Sequence, residues 1–142
     1  MTMPRVGILL SGGFDPIHIG HLRMIQAAKA YRSEVMIALN SDEWLCWKKG
    51  YTFMDWGERA ELLRGYHVQV CHVDDRDGTV CEALERVRPH YFGNGGDRVE
   101  PNPKEHEVCE RLGIIEVFNL GGRKVQSSSE LVHRSKERMH VG

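Results

Sequence analysis

Apolar and polar positions alternate in blocks along this chain. Val6-Gly-Ile-Leu-Leu10 is a continuous apolar run closed by Ser11-Gly12-Gly13, the pattern of a buried strand running into a tight turn. From Gly20 to Tyr31, Leu22, Met24, Ile25 and Ala28 recur at helical spacing, and Glu34 to Asn40 then reads as a second interior strand. Strand, helix and strand in close succession form a parallel crossover unit. The pattern repeats downstream. A helix is predicted over Glu58 to Arg64, a strand over Val68 to Val73, and a helix over Thr79 to Val87 that Pro89 closes. A short strand at His90 to Gly93, a helix from Pro103 to Leu112 and a strand from Ile114 to Asn119 follow, with a last helix over Ser127 to Met139. Five strands alternating with helices predict an α/β fold, a doubly wound five-stranded parallel sheet with helices on both faces. Ligands on such sheets sit outside the carboxyl ends of the strands, where the strand order reverses. Trp44 to Trp56, Asp74 to Gly78 and Gly93 to Pro103 show neither period and read as loops of that active face.

Composition narrows the class. The chain has 142 residues, enough for one domain whose core needs no disulfide or metal. Its 19 Lys and Arg against 20 Asp and Glu leave a formal charge of −1, so no chain-wide basic field exists and a dedicated nucleic-acid binder is not expected. Cys46, Cys71, Cys81 and Cys109 show neither a CxxC pair nor zinc-finger spacing, as for reduced thiols in a cytoplasmic protein. No leader pattern opens the chain and no run of 18 apolar residues occurs, so neither secretion nor a membrane span is expected. The last predicted helix has little to bury beyond Leu131 and Val132. Residues 1–142 therefore read as a single domain excised from a longer chain.

The segment with the most chemistry is Ser11-Gly-Gly-Phe-Asp-Pro-Ile-His-Ile-Gly-His-Leu22, which links the first strand to the first helix. His18 and His21 fall at the N-terminal end of that helix, where unpaired amides and the positive end of the dipole favour an anion. Gly12 and Gly13 let backbone approach a ligand, and Gly20 leaves room between the histidines. Two imidazoles three residues apart suit a polyphosphate. Two histidines that only cap a helix would leave the glycine turn unexplained.

Gly13-Phe14-Asp15-Pro-Ile-His18-Ile-Gly20-His21 resembles the HxGH signature of the nucleotidyltransferase superfamily. That superfamily includes the cytidylyltransferases, the heptose-phosphate and nicotinate-mononucleotide adenylyltransferases and, more distantly, class I aminoacyl-tRNA synthetases. The resemblance covers most of the chain and implies a Rossmann-like fold. Asn40-Ser-Asp-Glu43 is similar to the turn after the second strand in the compact members. Lys48 and Lys49 fall where that family places a lysine on the triphosphate, although a solvated lysine pair reads the same way. Arg59 falls where the family places a helix-borne arginine, and equally where a solvated helix face would carry one. Gly95, Gly96 and Asp97 resemble the glycine turn that lies beside base and ribose, or form only a sharp bend. Ser127, Ser128 and Ser129 resemble the serine motif that holds the β- and γ-phosphates at the last helix, a run that would also serve as a plain N-cap.

Departures accompany the likeness. Gly121-Gly-Arg-Lys124 stands where cytidylyltransferases often carry Arg-Thr-Glu-Gly, and Glu130-Leu-Val follows the serines where the nicotinate-mononucleotide enzymes place an arginine. The chain is too short for a tRNA synthetase. Asp74-Asp-Arg-Asp-Gly78 lacks the alternation of a calcium loop and reads as a turn and N-cap region. His67, Cys71 and His72 sit on a strand pattern that points neighbours to opposite faces, so no metal site is read there. Trp44, Trp47 and Trp56 either form a lid over an acceptor or close a core.

The resemblance implies nucleotidyl transfer without a covalent intermediate. An acceptor phosphate or phosphonate oxygen attacks the α-phosphorus of CTP, or alternatively of ATP, and pyrophosphate leaves. In this reading His18, His21, Lys48, Lys49 and Arg59 are catalytic. Gly12, Gly13, Phe14, Asp15, Gly20, Gly95, Gly96, Asp97 and Ser127 to Ser129 hold the nucleotide, and Mg²⁺ bridges the phosphates through water and substrate oxygens. Across its whole length the chain resembles the N-terminal cytidylyltransferase domain of the bifunctional phosphoenolpyruvate phosphomutase of fosfomycin biosynthesis. That resemblance puts 2-hydroxyethylphosphonate first as acceptor, beside glycerol 3-phosphate, which the length and the Asn-Ser-Asp and Gly-Gly-Asp turns suggest by their likeness to the compact glycerol-3-phosphate and heptose-phosphate enzymes. ATP with a sugar 1-phosphate or nicotinate mononucleotide comes next, and a nucleotide sensor without turnover is the reading from another class. A homodimer is expected from the superfamily.

Overall fold

The computed structural model describes residues 5–95 and 100–122. Five strands form one parallel sheet in the order β3-β2-β1-β4-β5. They are β1 Ile8–Gly12, β2 Val35–Leu39, β3 Gln69–Cys71, β4 Tyr91–Gly95 and β5 Ile115–Leu120, and the strand order reverses between β1 and β4. The connecting helices are α1 Ile19–Tyr31, α2 Asp42–Lys49, α3 Trp56–Arg64, α4 Cys81–Val87 and α5 Pro103–Leu112. This is the doubly wound α/β architecture that the alternating blocks predict.

Side-chain alternation along the strands divides the core in two. Ile8, Leu10, Ile37 and Leu39 face one way and pack with Ile25 and Ala28 of α1 and Leu63 of α3. Leu9, Ala38 and Phe92 face the other way, onto Leu84 of α4 and Val108 and Cys109 of α5. Burial of strands on both faces explains their nearly unbroken apolar runs.

One element differs from expectation. Part of the stretch from Trp44 to Trp56, read as a loop, is helix α2. Ser41 caps it by accepting from the Trp44 amide at 3.0 Å, Asp42 and Glu43 occupy the first turn, and Lys48 and Lys49 the last. Gly50 ends it in the left-handed conformation at φ 86°. Every end signal is present in the sequence. The apolar period is not, because only Leu45 of this helix is buried.

The sheet also prepares a crevice. β1 pairs with β2 along all five positions from Ile8 to Gly12, but with β4 only at Ile8–Tyr91 and Leu9–Phe92. Beyond Leu9 the two central strands part, so their carboxyl ends open at the reversal of strand order. Gly93 sits where they part. A Cβ there would lie 2.5 Å from Leu120 Cδ1 and 2.7 Å from Leu10 Cδ2.

Candidate active site

The loop leaving β1 is held from several sides before it enters α1. Gly13 packs under α2, where a Cβ would come 2.7 Å from Leu45 Cδ2. Phe14 is buried with φ 51°, and its ring tilts against His21 at 4.5 Å. Asp15 is 2% exposed. Its carboxylate accepts from the amides of Phe53 at 2.7 Å and Met54 at 2.6 Å, which fastens the segment after α2 against the loop.

His18 is the N-cap of α1. Its Nδ1 accepts from the Gly20 amide at 3.1 Å, while His21 Nδ1 accepts from the His18 amide at 3.2 Å. The two rings stack 3.8 Å apart, with their planes 17° from parallel. This is a reciprocal cap built from two imidazoles. Because each Nδ1 is an acceptor, each neutral ring carries its proton on Nε2. A half-buried pair of N–H donors thus stands at the positive end of a helix, the arrangement a phosphate needs.

The cationic residues divide differently from the sequence expectation. Lys49 turns inward, with Nζ 3.0 Å from Asp15 Oδ2 and donating to the Asp15 carbonyl at 2.6 Å. Lys48 is exposed, its Nζ 4.7 Å from the centre of the Trp44 ring. Arg59 is a correction. It is neither a solvated helix residue nor a group open to a ligand, because it is 0% exposed. Nη1 donates to the carbonyls of Gly13 at 2.8 Å and Asn40 at 2.9 Å, Nε to Met54 at 3.0 Å, and Nη2 pairs with Asp42 Oδ1 at 2.6 Å. It is a positioning residue that ties β1, β2, α2 and the segment before α3 behind the glycine loop.

Sequence reasoning missed Asp75 as part of this framework. Asp75 is 5% exposed and accepts from Asn40 Nδ2, the Ser41 amide and the Ser41 hydroxyl at 3.0, 2.8 and 2.8 Å. The Asp74–Gly78 segment does turn, with the Gly78 amide on the Asp75 carbonyl. It does not cap α4 with a side chain, and instead the Val80 amide donates to Glu105 Oε2 at 3.1 Å. The only advance sign of Asp75 was an acidic run after a strand, a pattern shared with ordinary turns.

The three tryptophans do not share one place in the fold. Trp56 joins the core, stacks on His72 at 3.6 Å and donates to the Leu39 carbonyl at 3.1 Å. Trp44 and Trp47 border a cleft between α2 and the segment after β3. Gly12 ends β1, Gly20 lies in the first turn of α1, and Gly95 ends β4. Gly96, Asp97, Ser127, Ser128, Ser129 and the predicted last helix lie outside the described residues. Among the described residues, no group of three His, Cys, Asp or Glu side chains is arranged to hold a metal, and no helix is long and apolar enough to cross a membrane.

Comparison with known proteins gives the family and the fold likeness of the chain. The family model described as Cytidylyltransferase-like matches residues 9–138. The bifunctional protein HldE of Bradyrhizobium sp. (strain ORS 278) is 32% identical over 134 residues, covering 93% of this chain and 27% of that protein. HldE of Geobacter metallireducens is 29% identical over 109 residues, or 75% of this chain and 22% of the relative. The chain thus spans about a quarter of the length of these relatives. Among solved structures, a lipopolysaccharide core biosynthesis protein from Thermoplasma volcanium GSS1 superposes with a TM-score of 0.69. The superposition covers 85% of this chain and all of that one, at 17% identity, a likeness of fold.

Proposed function

The chain belongs to the cytidylyltransferase-like family, and on that premise we propose that it transfers a nucleoside monophosphate from a nucleoside triphosphate to a small phosphorylated acceptor. The observation that carries this reading is the stacked His18–His21 pair at the start of α1, beside the crevice where β1 and β4 part. An anionic oxygen of the acceptor attacks the α-phosphorus. The bond from the α-phosphorus to the bridging oxygen breaks, and pyrophosphate leaves with the electron pair. No proton has to move, so positioning and charge stabilisation are the tasks left to the protein. The Nε2–H groups of His18 and His21 donate to the α- and β-phosphates. Lys48 brings a mobile charge to the acceptor phosphate, while Lys49 and Arg59 hold the loop in shape. Gly95, Gly96 and Asp97 are proposed beside the base, and Ser127 to Ser129 on the leaving pyrophosphate. Magnesium enters with the triphosphate as part of the substrate, in keeping with its preference for phosphate oxygens and water.

For base and acceptor, similarity to the HldE proteins over 93% of the chain supports ATP and a sugar 1-phosphate. This order is the reverse of the sequence expectation, which puts CTP with 2-hydroxyethylphosphonate or glycerol 3-phosphate first. The neighbour described as a lipopolysaccharide core biosynthesis protein is in keeping with a sugar acceptor. Pyrophosphate release with Mg²⁺, measured over ATP, CTP, GTP and UTP against a heptose 1-phosphate, glycerol 3-phosphate, 2-hydroxyethylphosphonate and nicotinate mononucleotide, tests both levels. Release with ATP and the heptose phosphate is expected. Release with CTP alone overturns the base and acceptor, and nucleotide binding without release from any pair overturns the transfer itself.

A further inference from the structure

β5 does not run straight to its end. Gly93 pairs with Val117 and Gly95 with Leu120, so Phe118 and Asn119 together stand opposite Asn94, a bulge in the edge strand. Asn119 takes φ 62°, and the Gly122 amide donates to the Asn119 carbonyl at 3.2 Å to close a turn. Gly121, third in that turn, has φ 81°, a conformation that glycine adopts freely. The turn is pressed onto α1. A Cβ on Gly121 would lie 2.8 Å from the Met24 nitrogen and 3.0 Å from both the Arg23 carbonyl carbon and Met24 Cα. Gly7, Gly13 and Gly93 are packed as tightly, but against side chains, which can give way. Met24 follows His21 by three residues, one turn further along α1. We propose that Gly121 is a positioning residue for the histidine pair: its turn braces α1 so that the two imidazole N–H groups keep their place when a charged phosphate binds. Its bearing on turnover rests on the transfer reading above, whereas its bearing on phosphate binding does not.

Three features carry the assignment. First, the loop ahead of His18 is held by Lys49, Arg59 and the amides of Phe53 and Met54, all from the α2 and α3 side of the site. α1 beyond His21 is met from the opposite side of the sheet, by β5. Backbone against backbone stops a helix with no rotamer to yield, and a close-packed interior passes a shift on rather than absorbing it. Second, the turn is itself anchored. Leu120, the residue before Gly121, is 4% exposed and shares a core cluster with Met24, and its Cδ1 fills the space that the missing side chain of Gly93 leaves. Third, the strand reaches this contact only by giving up regular pairing with β4 and by holding Asn119, which is not glycine, in the left-handed region. Irregular pairing and backbone strain of this kind gather at functional sites.

The test compares Gly121→Ala with Gly122→Ala in the whole chain. Gly122 has φ 76° and nothing within 4 Å of its Cβ position, so both variants put alanine in a left-handed conformation and only one drives a methyl into α1. In pyrophosphate release with ATP and a heptose 1-phosphate, Gly121→Ala is expected to lower kcat by about 10- to 100-fold, the scale of a misplaced catalytic group, with Gly122→Ala within about twofold of the parent. In NMR spectra of the histidine side chains, the His18 and His21 signals should move in Gly121→Ala and stay in place in Gly122→Ala. Titration with inorganic triphosphate should show weaker binding in Gly121→Ala alone. Equal kcat in the two variants, or histidine signals and triphosphate affinity unaltered by Gly121→Ala, overturns the assignment. A parent that releases no pyrophosphate from any pair sinks the transfer reading, and the spectra and the triphosphate titration then decide the brace. Should Gly121→Ala not fold, Leu120→Val takes its place, since it loosens the same turn without adding an atom against α1. A lower kcat with displaced histidine signals is expected there, and no change in either overturns the assignment.

Discussion

Lys49 Nζ stands 3.0 Å from Asp15 Oδ2, so the last turn of α2 is clamped to the loop that carries the two histidines. The Asp15 side chain is wholly buried and that of Lys49 is 15% exposed. Removing the ammonium leaves a buried carboxylate with its two amide donors and without this ion pair. Lys49→Met is therefore expected to lose about 1.5–3 kcal/mol in urea unfolding, the range for hydrogen bonds to charged groups. Lys48→Met should leave stability within about 0.5 kcal/mol, since its side chain is exposed. Equal losses in the two variants would contradict this division.

Arg59 gives a sharper contrast. Arg59→Ala leaves the carbonyls of Gly13, Asn40 and Met54 without their donor and Asp42 without its partner, and is expected to cost about 3–5 kcal/mol. Arg59→Lys should rescue little, because one ammonium cannot reproduce a planar fork with four partners. Chemical denaturation of both variants decides it. A stable Arg59→Lys protein with depressed turnover would return Arg59 to the catalytic group.

His18 has two separable duties, capping α1 and donating to phosphate. Asn is a good cap, so His18→Asn should fold within about 0.5 kcal/mol of the parent, whereas His18→Ala loses about 1 kcal/mol. Both should lower turnover by about 10²-fold or more, the scale of a lost transition-state donor. Full kcat in His18→Asn would remove His18 from the chemistry.

The stability profile with pH has two ends. His106 Nδ1 lies 3.0 Å from Glu116 and its Nε2 3.2 Å from Glu110, contacts that raise its pKa, chiefly through the Glu116 hydrogen bond. A folded value above the unfolded one stabilises fully below about pH 6.5 and fades as pH rises through the folded value. Asp74 is held down at about 2 by hydrogen bonds from Arg76, and Glu82 is lowered chiefly by Arg86. Their contribution is present above about pH 4 and is lost on acidification below it. Thermal midpoints of the parent and His106→Gln should therefore diverge as pH falls from 8 to 5, with the parent higher. Parallel curves would show that the Glu116 contact adds no stability.

Gly93 separates shape from chemistry. Gly93→Ala drives a methyl against Leu120 and Leu10 and should cost about 1–3 kcal/mol by overpacking. The Leu120→Ala partner substitution should recover part of that loss by opening space. A double-mutant cycle measures the coupling.

Much of this protein is legible from local pattern. The strand, glycine turn and helix that carry His18 and His21 follow from an apolar run, two glycines and a helical period within some 25 residues. Short-range hydrogen bonds then set the cap geometry, so its parts are all neighbours in the chain. α2 shows the limit of that method. Its end signals are local and present, but a helix that buries only Leu45 carries no readable apolar stripe.

The alternation of elements, the sheet class and the position of the histidine pair are local properties, because strand and helix periods and capping depend on residues a few positions apart. Which cations face the solvent is not local and follows from the folded packing. Arg59 is buried because Gly13, Asn40 and Asp42, from two strand ends and a second helix, converge on one guanidinium, and Lys49 turns inward because Asp15 waits 34 positions earlier. The cleft between α2 and the segment after β3 likewise exists only once parallel pairing sets those two connections side by side. Burial, pairing and cavity shape are relations between distant parts of the chain, and no periodicity records them.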